Sequence, residues 1–305
     1  MNPSNIAVLD GGLSTALEEL GVDISGPLWT ARAVIESQNE LAEAHRRFAE
    51  AGASFVTTAS YQCGVEHFEA LGQSPSQARK TLLATTSIAR EGVRLYGTQV
   101  AASIGPYGAS LADGSEYHGD YGTSLAAVEK YHWRKLEVLA ESEPDAFAVE
   151  TQLRSDEVQA IASQLVKLGS PPAWFSFGFR DENTTHGGQP VQDIINAVVD
   201  YPNLLALGVN CTAPHLVTAI LQQMAAAAPG VPLIAYPNHG GHWDPNDRSW
   251  IRPSSEVFGL QRLSEWQSAG AQYIGGCCGV GPREIADLAR FIDEFAEIKP
   301  KDENQ

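Results

Sequence analysis

Short apolar runs alternate along the whole chain with longer stretches in which apolar residues recur every three or four positions. The runs are Ile6–Asp10, Ser54–Ser60, Gln99–Gly105, Ala146–Thr151, Ala173–Phe179, Leu205–Cys211, Leu233–Asn238 and Tyr273–Cys278. Compact and β-rich, they read as strands buried on both faces. Between them lie amphipathic stretches near 37–51, 76–96, 124–142, 155–168, 190–201, 214–227, 255–269 and 282–297, which read as helices with one apolar face. Strand and helix in strict alternation predict right-handed βαβ units and a parallel sheet. About eight such units close a barrel. The fold expected is α/β, a single (β/α)8 TIM-type barrel over residues 1–298, with a frayed charged tail at 299–305.

Loop lengths support the barrel. Links from helix to strand are short and carry stop signals, as in Ala51-Gly52-Ala53, Tyr96-Gly97-Thr98 and Ala269-Gly270-Ala271. Several links from strand to helix are long and polar or glycine-rich: 11–36, 61–75, 106–123, 180–189 and 239–254. In barrels of this kind those loops form the catalytic face. A doubly wound open sheet would need a topological switch point, and the sequence shows none.

Composition narrows the function. The 305 residues carry a net charge of −17, which argues against nucleic-acid binding because phosphate contacts need clustered Lys and Arg. No apolar stretch approaches the roughly 18–20 residues of a membrane span. Met1-Asn2-Pro3-Ser4-Asn5 lacks the pattern of a secretory signal. Four cysteines, two of them adjacent, make a poor disulfide framework, so a cytoplasmic protein with free or metal-bound thiols is expected. The sequence leaves the oligomeric state open.

The chemistry-bearing residues fall at the C-terminal ends of different runs. Asp10 ends the first, Tyr61 follows the second, Glu150 ends the fourth, Cys211 the sixth, Asn238 the seventh, and Cys277 with Cys278 the eighth. In a barrel these ends share one mouth. Three thiolates with one open position is a catalytic zinc pattern, and Gly275 and Gly276 would permit the backbone distortion that turns both neighbouring cysteines toward one ion. Buried apolar thiols or a vicinal disulfide are the competing readings. Cys63 reads as a bystander. A substrate thiol would bind such a site as thiolate, and three thiolates make zinc a poor Lewis acid, which disfavours hydrolysis.

On the residues alone Asp10-Gly11-Gly12 reads as a strand-ending turn, whereas Glu150 at the end of a buried strand calls for a partner, which a substrate ammonium would supply. His239 and His242 sit in a glycine-rich loop, a weak metal motif. Trp29, Tyr61, Tyr107, Tyr117 and Tyr121 lie on the long loops. Packing explains most of them, while one or two could face a cationic methyl donor.

Together these residues resemble the homocysteine S-methyltransferase family over nearly the whole chain. The matching pieces are Asp10-Gly11-Gly12 with Ser14-Thr15, Pro27-Leu28-Trp29-Thr30, Thr58-Ala59-Ser60-Tyr61-Gln62, Gly105-Pro106-Tyr107-Gly108-Ala109 and Asp113-Gly114-Ser115-Glu116-Tyr117. Phe147–Thr151, Trp174-Phe175-Ser176-Phe177, Gly208–Thr212, Tyr236-Pro237-Asn238 and Gly275–Cys278 complete the set. The combination of Val-Asn-Cys with Gly-Gly-Cys-Cys is the specific part; the Pro-Leu-Trp and Ser-Glu-Tyr runs look most like the branch using S-methylmethionine. The resemblance implies one zinc ion on Cys211, Cys277 and Cys278, with Asn210 beside it. It further implies Asp10 and Glu150 on the amino group of homocysteine, the backbone near Gly11 on its carboxylate, and Trp29 and Tyr61 lining the methyl-donor site.

Three departures from the family pattern leave the cysteines in place. His239-Gly240-Gly241 stands where Ser-Gly-Glu is common, Gln152-Leu153 where Ile-Pro is common, and Gly279-Val280-Gly281 where Arg-Thr-Thr is usual. The activity expected is methyl transfer from a sulfonium, S-methylmethionine first and S-adenosylmethionine second, to a zinc-bound homocysteine thiolate. A zinc hydrolase or aldolase on the same barrel, or a non-catalytic thiol-binding or redox-sensing protein, are the alternatives.

Overall fold

The computed structural model describes residues 6–26, 28–240, 242–244, 249–251 and 257–298. Pro27, most of the segment 241–256 and the tail expected at 299–305 lie outside the described residues. Eight parallel strands make the barrel: β1 (Ala7–Val8), β2 (Phe55–Thr57), β3 (Gln99–Ile104), β4 (Ala146–Gln152), β5 (Ala173–Phe177), β6 (Leu204–Asn210), β7 (Leu233–Tyr236) and β10 (Ala271–Ile274). They run in the order β1-β10-β7-β6-β5-β4-β3-β2. A parallel bridge between Leu9 and Phe55 joins the two ends of that order, with Asp10 N donating to Phe55 O at 3.1 Å. After β7 a small antiparallel hairpin pairs β8 (His242–Asp244) with β9 (Ser249–Ile251).

The helices follow the apolar periodicity closely. They include α3 (Gln38–Glu50), α5 (Pro75–Val93), α7 (Leu125–Glu141), α8 (Ser155–Lys167), α10 (Pro214–Ala227) and α12 (Pro282–Ile298). Start signals fix their ends: the Ser74 side chain accepts from Gln77 N, with Pro75 at the first helical position, and Ser124 accepts from Ala127 N. The helix expected near 190–201 is shorter, α9 (Val191–Asn196). Among the described residues no helix is long and apolar enough to cross a membrane.

Period-two alternation sorts the strand residues into two cores. Leu9, Phe55, Ala101, Ala146, Ala148, Trp174, Ala206, Ile234 and Tyr236 point inward and fill the barrel. The Phe55 and Trp174 rings meet edge to face at 5.7 Å, and alanines opposite them leave the room. The alternate residues, among them Val56, Val100, Phe147, Val149, Phe175, Leu207 and Val209, face the surrounding helices. Above the inward apolar layer the same register carries Ser103, Glu150, Ser176 and Asn210 to the C-terminal mouth. Alternation therefore decides which polar groups reach the site.

Several strand-to-helix loops contain short helices that the sequence reading treats as loop. These include α1 (Leu13–Glu19), α4 (Val65–Ala70) and α6 (Tyr107–Leu111), each too short for a periodic signal. The loop after β3 is tied down by Glu157 on α8, which is fully buried. Its Oε1 accepts from Tyr107 N at 2.6 Å and bonds His132 Nε2 at 2.8 Å, while Oε2 accepts from Tyr121 OH at 2.8 Å. Glu157→Ala strands three donors in the interior and is expected to lower unfolding stability by about 3–5 kcal/mol in urea titrations. Glu157→Gln, which keeps one acceptor, loses less.

Candidate active site

The strand ends meet where backbones approach closely. A Cβ at Gly11 would overlap the Val280 carbonyl, and one at Gly12 would lie 2.7 Å from Cys277 O. On the facing segment, a Cβ at Gly275 would lie 2.7 Å from Asp10 O, and one at Gly276 would overlap the Val280 side chain. Asp10-Gly11-Gly12 is therefore the surface against which the cysteine loop docks, and not only a turn. The expectation that Gly275 and Gly276 supply an unusual backbone conformation needs correcting. Neither has a positive φ; they supply room, and the left-handed residues are Gly279 at +80° and Cys211 at +46°. Past β10 the chain still alternates between its neighbours: Gly275 N donates to Ala235 O, Gly276 N to Asp10 O and Cys277 N to Pro237 O. The strand itself is Ala271–Ile274, so both cysteines lie beyond its end rather than within the expected run.

The structure brings Cys211, Cys277 and Cys278 together, their Sγ atoms all within 4.8 Å of one another. Cys211 and Cys277 are joined as a disulfide, and Cys278 Sγ lies 3.7 Å from Cys211 Sγ. The disulfide thus crosses from loop to loop and is not the vicinal one. Zinc–thiolate bonds of about 2.3 Å in a tetrahedral shell set sulfurs about 3.8 Å apart, so the Cys211–Cys278 spacing fits a shared ion. Burial, with Glu150 and Glu18 nearby, pushes the Cys278 thiol up to about 11, so it ionises at neutral pH only opposite a positive charge. The donor set fits zinc once a two-electron reduction has opened the disulfide. Cys63 is fully buried and apart from this group, as expected.

Two carboxylates share the mouth. Asp10 is buried, and its Oδ2 accepts from Thr57 N at 2.6 Å and Thr57 Oγ1 at 3.1 Å. Burial and then the charge of Glu150 raise its pKa well above the ordinary value, against the opposing Thr57 bonds. Glu150 accepts from Ser103 Oγ, and the Tyr236 hydroxyl lies near enough to lower its pKa. The Tyr236 hydroxyl in turn accepts from Trp174 Nε1 at 3.0 Å and bonds Ser176 Oγ. Burial lifts Glu150 to about 6, while the Ser103 bond, the Tyr236 hydroxyl and the charge of Lys135 pull it down.

Asn210 is fully buried and engages Thr151: its Oδ1 accepts from Thr151 N at 2.8 Å and its Nδ2 donates to Thr151 Oγ1 at 2.7 Å. That grip holds Thr151 at a φ of +57°, costly for a β-branched residue. Thr151 lies near the Tyr61 hydroxyl and offsets part of the rise that burial gives its pKa. What Asn210 gives the site is this placement. Trp29 meets Tyr61 edge to face with centroids 6.2 Å apart. Of the other loop aromatics, Tyr107 and Tyr121 are taken up in packing with Tyr131, Tyr107 lying 5.5 Å and 5.2 Å from the two rings. Tyr117 is exposed and close enough to Cys278 for their charges to interact.

His239 N donates to Cys278 O at 2.9 Å, and its Cβ fills the space a side chain at Gly279 would need. The departures at 239 and 279 are thus paired in space. The side chain of His242 lies outside the described residues. Gln152, the third departure, is fully buried and donates to Ile104 O. The sequence reading assigns no role to Ser103, Ser176, Tyr236, Thr57 or Lys135. Period-two alternation from Glu150 and its neighbours is the signal that finds the inward ones.

A family model described as homocysteine S-methyltransferase matches residues 7–292. The chain is 37% identical over 297 residues to a homocysteine S-methyltransferase of Escherichia coli, covering 94% of this chain and 96% of that one. Among solved structures it matches the homocysteine methyltransferase MmuM of Escherichia coli in its oxidized form, with a TM-score of 0.83 at 35% identity. The metallated form of MmuM matches with a TM-score of 0.82 at 36% identity; each match covers 94% of this chain and 96% of the other.

Glu150 gives a signed pH test. Its folded pKa of about 6 lies above the ordinary 4.5, so the folded state holds its proton more tightly than the unfolded one. The stability it contributes is full below about pH 4.5 and is lost as pH rises through about 6. Relative to Glu150→Gln, the unfolding free energy of the metal-free protein should fall by up to about 2 kcal/mol across that window. Urea titrations at several pH values check it, and a rise would contradict the assignment.

Proposed function

The chain belongs to the homocysteine S-methyltransferase family, and from that premise we propose that it makes methionine with one zinc ion held by Cys211, Cys277 and Cys278. S-methylmethionine is the preferred donor and S-adenosylmethionine the second. The observation that carries this reading is the meeting of three sulfurs from two loops far apart in sequence, beside two buried carboxylates. Asp10 and Glu150 receive the ammonium of homocysteine, which supplies the positive charge their burial lacks. The backbone at Gly11 faces its carboxylate, and Trp29 and Tyr61 face the donor through cation–π contact.

When bound, zinc would take the place of the thiol proton and keep the homocysteine sulfur an electron-rich thiolate. That sulfur forms the new bond to the methyl carbon as the bond to the donor sulfonium breaks. The bonding pair stays on the departing sulfur, which leaves as a neutral thioether. No general base is needed. What the chain contributes is alignment of two substrates and negative charge opposite the departing cation. The reading places the protein in a reducing cytoplasm, where the three cysteines stay thiols. A redox-sensing role is the second reading, favoured by the Cys211–Cys277 disulfide.

Reduced protein should retain about one zinc per chain and form methionine from homocysteine and S-methylmethionine. Hydrolase activity without methyl transfer would reject the proposal, and sensing without metal would favour the second reading. Cys211→Ser should abolish both zinc retention and turnover while circular dichroism stays that of a folded barrel. Full activity in a metal-free variant would refute the ligand set.

A further inference from the structure

One buried charge lies outside this chemistry. Lys135, on the inward face of α7, is fully buried. Among the described residues it pairs with no carboxylate within 4 Å; its ammonium donates to the Tyr61 carbonyl at 2.8 Å. A lysine buried without a paired acid is costly, and burial draws its pKa down to about 7, against the pull of Cys63, Glu150 and Glu66. A methionine or leucine would fill the same space without that cost, so the charge and the donor call for an account.

Tyr61 is held at several points. Its carbonyl accepts from Lys135 Nζ and from Gly105 N at 3.2 Å. Its ring occupies the space of the missing Gly105 side chain, where a Cβ would lie 2.7 Å from Cε2. Its ring meets Trp29 edge to face. Of these contacts, the bond from Lys135 alone reaches in from the outer helix layer, and it is the charged one. When Lys135 is protonated that bond is about twice as strong as a neutral one, and when it is not, the amine still donates. Without it the carbonyl keeps one long bond, and the chain leaving β2 loses its fixed height at the mouth.

We propose that Lys135 is a positioning residue, whose buried ammonium fixes the Tyr61 carbonyl and thereby sets the Tyr61 ring against Trp29 on the donor side of the mouth. The proposal rests on the methyl-transfer reading for its kinetic consequence and on geometry alone for its structural one. Lys135→Met keeps the length of the stem while removing the charge and the donor. Lys135→Arg keeps both.

Two measurements separate the proposal from the reading it rests on. In the first, fluorotyrosine is placed at position 61 and its fluorine resonance followed in substrate-free protein. Lys135→Met should shift or broaden the resonance, and Lys135→Arg should restore it. In the second, the KM for S-methylmethionine should rise about tenfold in Lys135→Met with kcat little changed, and return with Lys135→Arg. An unchanged resonance in Lys135→Met overturns the proposal, as does a change that Lys135→Arg fails to reverse. A shifted resonance with unchanged donor KM overturns its kinetic half. If wild type transfers no methyl group, the functional reading fails while the resonance still decides the role of Lys135. Should Lys135→Met not fold, Lys135→Gln carries the same two readouts.

Discussion

The site depends on two backbone segments lying closer than any side chain allows. The end of β1 runs against the loop after β10: Gly11 lies against the Val280 carbonyl, Gly12 against Cys277 O and Gly275 against Leu9 and Asp10, while Gly276 makes room for the Val280 side chain of its own loop. Gly12 N donates to Val280 O and Gly276 N to Asp10 O, closing the contact. That approach sets the Asp10 backbone against Gly275 and Gly276, immediately before Cys277 and Cys278. The left-handed turn at Cys211 brings in the third sulfur from β6. Asp10 and two of the three clustered sulfurs are thus placed by one contact.

A second constraint is charge. Asp10 and Glu150 sit buried within each other's field, and both hold protons more tightly than a solvated acid because burial penalises the anion. The Cys278 thiol is shifted in the same sense. Such a pocket is unfavourable for its own anions and favourable for cations, which suits a divalent ion, an ammonium and a sulfonium. The disulfide between Cys211 and Cys277 leaves those two sulfurs uncharged, and only its two-electron reduction returns them as thiols able to meet a cation. Polar support comes from inward strand residues: Ser103 on Glu150, Thr57 on Asp10 and Asn210 on Thr151. These bonds hold the acids in place without neutralising them.

Much of this was legible along the chain. The alternation of runs and amphipathic stretches predicts the order of strands and helices, because buried parallel strands and one-faced helices leave distinct periods. Strand limits were less legible, and β1 and β2 are two and three residues long where longer runs were expected. Their inward ends turn from ladder to site at Asp10 and Thr58, and composition does not mark where pairing stops. The last strand is Ala271–Ile274, not the expected Tyr273–Cys278, because the glycines that end it also read as part of its apolar run. Short helices such as α1 and α6 left no periodic trace.

The sequence by itself determined the architecture, because burial pattern is a local property, and it singled out the three cysteines and Glu150 as candidates by residue type, with a substrate role for Asp10 coming only from the family resemblance. It also carried the glycines, although not the reason for them. Only the tertiary structure decided that those glycines serve close approach rather than an unusual backbone angle, and that the disulfide pairs Cys211 with Cys277. It likewise decided that Asn210 spends its amide on Thr151 and that Lys135 reaches Tyr61 from an outer helix. Those are contacts between positions some 59 to 74 residues apart, and local pattern holds no information about which distant groups the closed barrel sets side by side.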